Sequence, residues 1–349
     1  MPANYTDTSG DIFCSYYDSN TTCQEPTEGD ILQVERICSA NITAAYVLFS
    51  IALVFGLPGS ILALITVLRL SLKPSTLYIG LLAVSDFLSL VGASLTYYTL
   101  YTYYTLIKNS DPLVEWEEFS KWFGRIFQAF SHWLLVLICL ERFVTVTYPL
   151  HKVKVYTLHN TVYTCIAASA LCCIPFLMFC LRYLKVVTYS KFRFISIVIY
   201  LTIYIIVPTL LIILFTALTA LQLRRSQQRR RTVLTPVDME RSTKMEADLT
   251  RMMFLTAIFF VIFTLPMAIF HIINQANFYL IRRKLCPVEY AISKLIFYST
   301  ANLSFFNHAA NFYLYLISAR GFRKRFLLVF SKKKKFQEVV PASNYTEDE

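Results

Sequence analysis

Charge is what this chain has least of. Only 16% of its 349 residues are Asp, Glu, Lys or Arg, while 56% are hydrophobic and the mean hydropathy is +0.51. A soluble domain of this length carries more polar surface than that. No cleavable signal peptide is visible either: Met1–Asp30 has no apolar core, so the first apolar run is expected to serve as the insertion signal. No nucleophile–base set and no metal-ligand spacing appears, which argues against an enzyme or a bound cofactor. No internal repeat stands out, and the apolar runs do not divide into two matching halves, which argues against an inverted-repeat transporter.

What the chain has instead is apolar runs of bilayer length, about 20 residues or more each. Seven are expected, near Ala44–Leu70, Thr76–Tyr104, Phe119–Val146, Leu158–Leu181, Phe194–Leu223, Ala247–Ile273 and Glu289–Ser318. The third and seventh are the most polar. The expected fold is an all-α integral membrane protein, a seven-transmembrane helix bundle with a short C-terminal amphipathic helix on the membrane surface. Residues 1–43 form the extracellular segment, 44–318 the helix domain, and 319–349 the cytoplasmic helix and tail.

Basic residues set the orientation. With the N-terminus outside, the inner loops and tail hold 20 Lys and Arg and the outer segments 10. That bias puts the tail in the cytoplasm of a multi-pass plasma-membrane protein. It also accounts for the net charge of +11 without nucleic acid as a partner. Sequons at Asn4, Asn20 and Asn41 all precede the first run, so they are expected to carry glycans. Cys14, Cys23, Cys38 and Cys286 fall outside, an even number in an oxidising compartment. Three connectivities are open, and Cys38–Cys286 with Cys14–Cys23 is preferred. Cys139, Cys165, Cys172 and Cys173 lie within spans and read as inert buried thiols.

Polar residues inside the apolar runs point to function. Asp86 sits alone in the second run. Asn307 and Asn311, at i and i+4, share a face of the seventh, and Ser131 is on the third. Together these residues would bind a sodium ion or hold a water cluster; a buried hydrogen-bond network that needs no ion is the other reading. Lys121, Arg125, Gln128 and His132, spaced 4, 3 and 4 apart, form one polar face of the third run. That face would line a ligand pocket open to the outside, joined by Tyr97, Tyr200 and His271, or else pair internally with neighbouring helices. At the inner end, Arg142 has Glu141 beside it and Glu246 at the start of the sixth run. An Arg142–Glu246 pair would act as a register lock, and Pro266 would let the sixth helix bend when the lock opens. After the last run, Phe322, Phe326, Val329 and Phe330 share a face amid basic residues, as in a helix lying on the inner leaflet and touching membrane lipid.

Taken in order, these residues resemble the rhodopsin-like (class A) G-protein-coupled receptors over about Ala44–Phe330. Leu82-Ala83-Val84-Ser85-Asp86 looks like the family's Leu-Ala-x-x-Asp, and Glu141-Arg142-Phe143 like its Asp-Arg-Tyr, with Pro149-Leu150 at the family's spacing. Pro208, Phe260, Pro266 and Asn311-Phe312-Tyr313-Leu314-Tyr315 match the fifth, sixth and seventh helices. The resemblance implies a sodium pocket at Asp86, Ser131, Asn307 and Asn311. It also implies coupling to a heterotrimeric G protein through Arg142, Leu150 and Tyr315, with arrestin as a further partner. The chain departs from the pattern at Ser60, His132, Thr216, Thr264 and Phe312, and Glu117 stands where the family has the cysteine of its standard outer bridge. The Asn307–Tyr315 stretch is similar to invertebrate neuropeptide (FMRFamide-like) receptors. The resulting expectation is a receptor for an extracellular peptide. A small anionic or other chemosensory ligand held by Arg125, or a channel or transporter, are the alternatives.

Overall fold

A computed structural model describes residues 27–69, 72–105, 111–148, 156–183, 198–230, 236–275, 277, 286–318 and 320–330. The described residues are helical almost throughout. In lipid every backbone N–H and C=O must be paired within the protein, and an apolar run meets that demand as a helix. The helices are α1 (Glu28–Leu68), α2 (Pro74–Thr105), α3 (Asp111–Thr147), α4 (Leu158–Tyr183), α5 (Val207–Arg230), α6 (Pro236–Gln275), α7 (Pro287–Ser318) and α8 (Arg320–Phe330). A π-helical stretch, Tyr200–Ile206, runs directly into α5.

By length and apolarity, α1, α2, α3, α5 and α6 qualify as membrane-crossing helices, whereas α4 offers a shorter apolar stretch, Leu158–Ile174. α7 is not among the five. Its interior carries Asn302, Ser304, Asn307, His308 and Asn311, all buried, so the same side chains that build a site lower its hydropathy.

α1 begins 16 residues before the expected span, at a capping box. Thr27 Oγ1 accepts from the Asp30 amide, and Asp30 Oδ2 accepts from the Thr27 amide. The extra length carries α1 about 24 Å beyond Ala44 at 1.5 Å per residue. It also corrects one expectation. Asn41 lies within this helix at 0% exposure, where no glycan can be attached. Asn4, Asn20, Cys14 and Cys23 lie outside the described residues.

The bundle closes as a ring: α1 packs on α2 and α7, α2 on α3, α3 on α4 and α5, α5 on α6, and α6 on α7. Two glycines set a tight crossing. A Cβ on Gly92 of α2 would stand 2.6 Å from the Gly124 Cα of α3, so the two backbones are nearly in contact. α8 folds back on the end of α7. Phe312, which replaces the proline of the resembled motif, is buried and meets Phe322 and Phe326 edge-on at centroid distances of 6.0 and 5.3 Å. Those two phenylalanines therefore pack on the bundle and not into lipid as expected, while Leu327 and Leu328 stay exposed.

Candidate functional site

α3 carries polar side chains at three levels, and each level reaches neighbouring helices. The middle level is the most closely built. Asp86 of α2 is 1% exposed. Its Oδ1 accepts from Ser131 Oγ of α3 at 2.6 Å and lies 2.7 Å from His308 Nδ1 of α7, and its Oδ2 accepts from Asn311 Nδ2 at 2.8 Å. An ionised carboxylate only accepts, so His308 carries its proton on Nδ1. One acid thus ties three helices together. Ser60, Asp86, His308, Asn311, Phe312 and Tyr315 are among the residues lining a cavity of about 10 Å³ beside it, room for roughly one water.

The sequence pattern missed His308. Asn307 was the expected partner, yet although buried it makes no hydrogen bond to Asp86, and its Nδ2 has no partner among the described residues. The difference is rotational. Residues 307 and 308 differ by about 100° around the helix, and the pair that faces Asp86 is 308 and 311, spaced i and i+3. The signal that exposed Asp86, a lone ionisable residue in an apolar run, applied equally to His308.

His308 in turn stacks on His132 of α3, with ring centroids 5.5 Å apart and planes within 8°. His132 Nδ1 donates to the Tyr204 carbonyl at 2.8 Å, and its ring meets Phe260 of α6 edge-on at 4.8 Å. Beside it Trp133 Nε1 donates to the Ile203 carbonyl at 3.1 Å. Both acceptors belong to the π-helical stretch. The extra residue in its turn shifts the carbonyl register, which lets two carbonyls of this segment meet donors from α3. Tyr204 is also fixed from the other side, its hydroxyl donating to the Cys172 carbonyl of α4 at 3.0 Å.

Toward the outer end, Gln128 is buried and its Nε2 donates to Ser304 Oγ of α7 at 3.4 Å. The Arg125 guanidinium lies over the Trp122 ring at 5.3 Å and is near enough to His271 of α6 to act on it electrostatically. His271 meets Phe297 edge-on at 5.1 Å. Tyr97 turns elsewhere: its hydroxyl donates to Asn302 Oδ1 at 2.7 Å and its ring stacks on Phe49 of α1 at 4.5 Å. Of the expected ligand residues, Arg125 and His271 thus approach one another and Gln128 engages α7, while Tyr97 joins a contact between α1 and α7. Lys121 is half-buried on the same helix; the Tyr200 side chain lies outside the described residues.

At the inner end, Glu141 is 1% exposed, and its Oε1 accepts from Ser75 Oγ at the start of α2 at 2.6 Å. Ser75 is a partner that spacing alone did not suggest, 66 residues away. Arg142 is half-buried and close enough to Tyr315 to interact electrostatically. Tyr315 is itself buried, with its ring against Phe322 of α8 at 5.9 Å. Pro266 lies inside α6 as expected, whereas the Glu246 side chain and Leu150 lie outside the described residues.

A helical bundle with a buried acid at its centre and a Glu-Arg pair at one end of the third helix has the organisation of a seven-helix membrane receptor. The profile of the 7 transmembrane receptor (rhodopsin family) matches residues 59–315. The chain belongs to that family, a class of receptors and not of enzymes. It is also similar to a Caenorhabditis elegans protein, F59B2.13, described as a G-protein coupled receptor, with 26% identity over 167 residues. That alignment covers 41% of this chain and 36% of the relative, so the chain matches about a third of the relative's length.

Proposed function

We propose that this chain is a plasma-membrane receptor, with its N-terminus outside, that passes the binding of an extracellular peptide to a heterotrimeric G protein, with arrestin as a second cytoplasmic partner. The observation that carries this reading is the polar column of α3. Arg125 and Gln128 lie at its outer end, Ser131 and His132 at its centre, and Glu141 and Arg142 at its inner end, and side-chain interactions join this column to α2, to the π segment before α5, to α6 and to α7. A helix connected in this way transmits a displacement at one end to the other, because packed interfaces shift between discrete arrangements. The aromatic surroundings of Arg125 and His271, Trp122 and Phe297, suit a peptide with an aromatic and an anionic group. Arg125 by itself also suits a small anionic metabolite.

Asn4 and Asn20 would carry the glycans. Cys38 is buried on α1, and Cys286 lies one residue before α7. Their helices pack together, which supports a Cys38–Cys286 bridge bracing the outer ends of α1 and α7, with Cys14–Cys23 as the second pair. Arg142 would be released toward the G protein when a lock to Glu246 opens.

The test is a cell-based screen of peptide and anionic-metabolite libraries reading calcium and cAMP, with membrane current recorded in parallel. A ligand should elicit a second-messenger response that R142A abolishes at matched surface expression, and E246A should raise basal signalling. Equal signalling by R142A, or ligand-gated current without any second messenger, removes the coupling proposal. Basal signalling in E246A at or below wild type removes the lock.

A further inference from the structure

We propose that the site around Asp86 holds a built-in hydrogen-bond donor, the Nδ1–H of His308, and binds no sodium ion. The family resemblance implies sodium here, and the residues present do not fit it. A hard cation needs oxygen lone pairs turned toward it. Around Asp86 the neighbours turn hydrogens instead. Ser131 Oγ donates to Oδ1, His308 Nδ1 donates to the same oxygen, and Asn311 Nδ2 donates to Oδ2, all within 2.8 Å. An ion approaching Oδ1 meets the imidazole N–H first.

The ring is held in that position. It stacks on His132, and His132 is anchored at the Tyr204 carbonyl and against the edge of Phe260. Swinging His308 aside would forfeit the stack as well as its hydrogen bond to Asp86. The space beside the acid is also too small: the cavity of about 10 Å³ bordered by Asp86, His308 and Asn311 takes roughly one water, not an ion with part of its shell. A buried carboxylate without a counter-charge recruits a mobile cation or stays protonated. Here an N–H on α7 meets the carboxylate, so the partner is fixed in place and indifferent to the ions in the medium. The oxygens of this carboxylate tie α2, α3 and α7 together.

The experiment compares thermal unfolding of the purified full-length chain in detergent, in sodium chloride and in potassium chloride at equal ionic strength. It needs neither agonist nor G protein, so its outcome is independent of the coupling proposal. The expected result is one unfolding temperature in both salts for the wild type. H308S removes the N–H and leaves an oxygen, and should acquire a saturable, sodium-specific rise of several degrees, as any ligand that binds only the folded state produces. H308N, closer in size, serves where H308S does not fold and should show the same gain. A saturable sodium-specific stabilisation of the wild type overturns the proposal. So does sodium blindness in whichever of the two variants folds, because His308 would then not be what excludes the ion.

Discussion

Replacing Asp86 separates the charge of the central site from its hydrogen bonds. D86A removes both oxygens and strands three buried donors, on Ser131, His308 and Asn311. A buried donor without an acceptor costs about 1–3 kcal/mol, which places the three donors stranded by D86A near a total of about 5 kcal/mol. D86N is a milder change for a geometric reason. Its remaining oxygen can stay on Ser131 and His308, and its new amide group faces Asn311, whose Oδ1 has no hydrogen-bond partner among the described residues. Flipping the Asn311 amide turns that oxygen to the incoming N–H. Three hydrogen bonds survive, reduced from charge-assisted to neutral, at a total of about 2 kcal/mol. At roughly 1.4 °C per kcal/mol for a chain of 349 residues, D86A should unfold about 7 °C below wild type, and D86N about 3 °C below. A thiol-reactive dye reads this directly, because Cys139, Cys165 and Cys172 are free and buried and become reactive on unfolding. Equal losses for the two variants, or a D86A loss under about 2 °C, would refute the hydrogen-bond assignment.

Other outcomes follow from packing and burial. A Cβ on Gly92 would lie 2.6 Å from the Gly124 Cα and 2.8 Å from its nitrogen, whereas one on Gly124 would stand no nearer than 3.3 Å to its neighbours. G92A should therefore cost about 1–3 kcal/mol and G124A clearly less; the same dye assay ranks them, and the reverse order would contradict the crossing. N41Q should leave the glycosylated mass on a gel unchanged because Asn41 is buried in α1; a band shift would mean that this part of α1 is exposed when the glycan is added.

The membrane character, the helical fold and most of the polar positions that matter were readable from the order of residues. It could do so because lipid demands continuous helices and makes each ionisable residue within them conspicuous. Asp86, Ser131 and Asn311 were legible in that way, as was the polar face of α3. Rotations and partners came from the packing of the folded chain. Whether Asn307 or His308 faces Asp86 depends on turning α7 by one residue, which its neighbours α1, α2 and α6 settle and no pattern within α7 reveals. Ser75 reaches Glu141, and the π-segment carbonyls reach His132 and Trp133, because the ring of helices brings together residues 66 to 72 positions apart. Phe312 read as a departure from a motif. In the folded chain it is the surface on which α8 rests, since a buried ring at that position gives Phe322 and Phe326 something to pack against. Composition and period fix what a helix is made of, and packing against its neighbours fixes which way each side chain points.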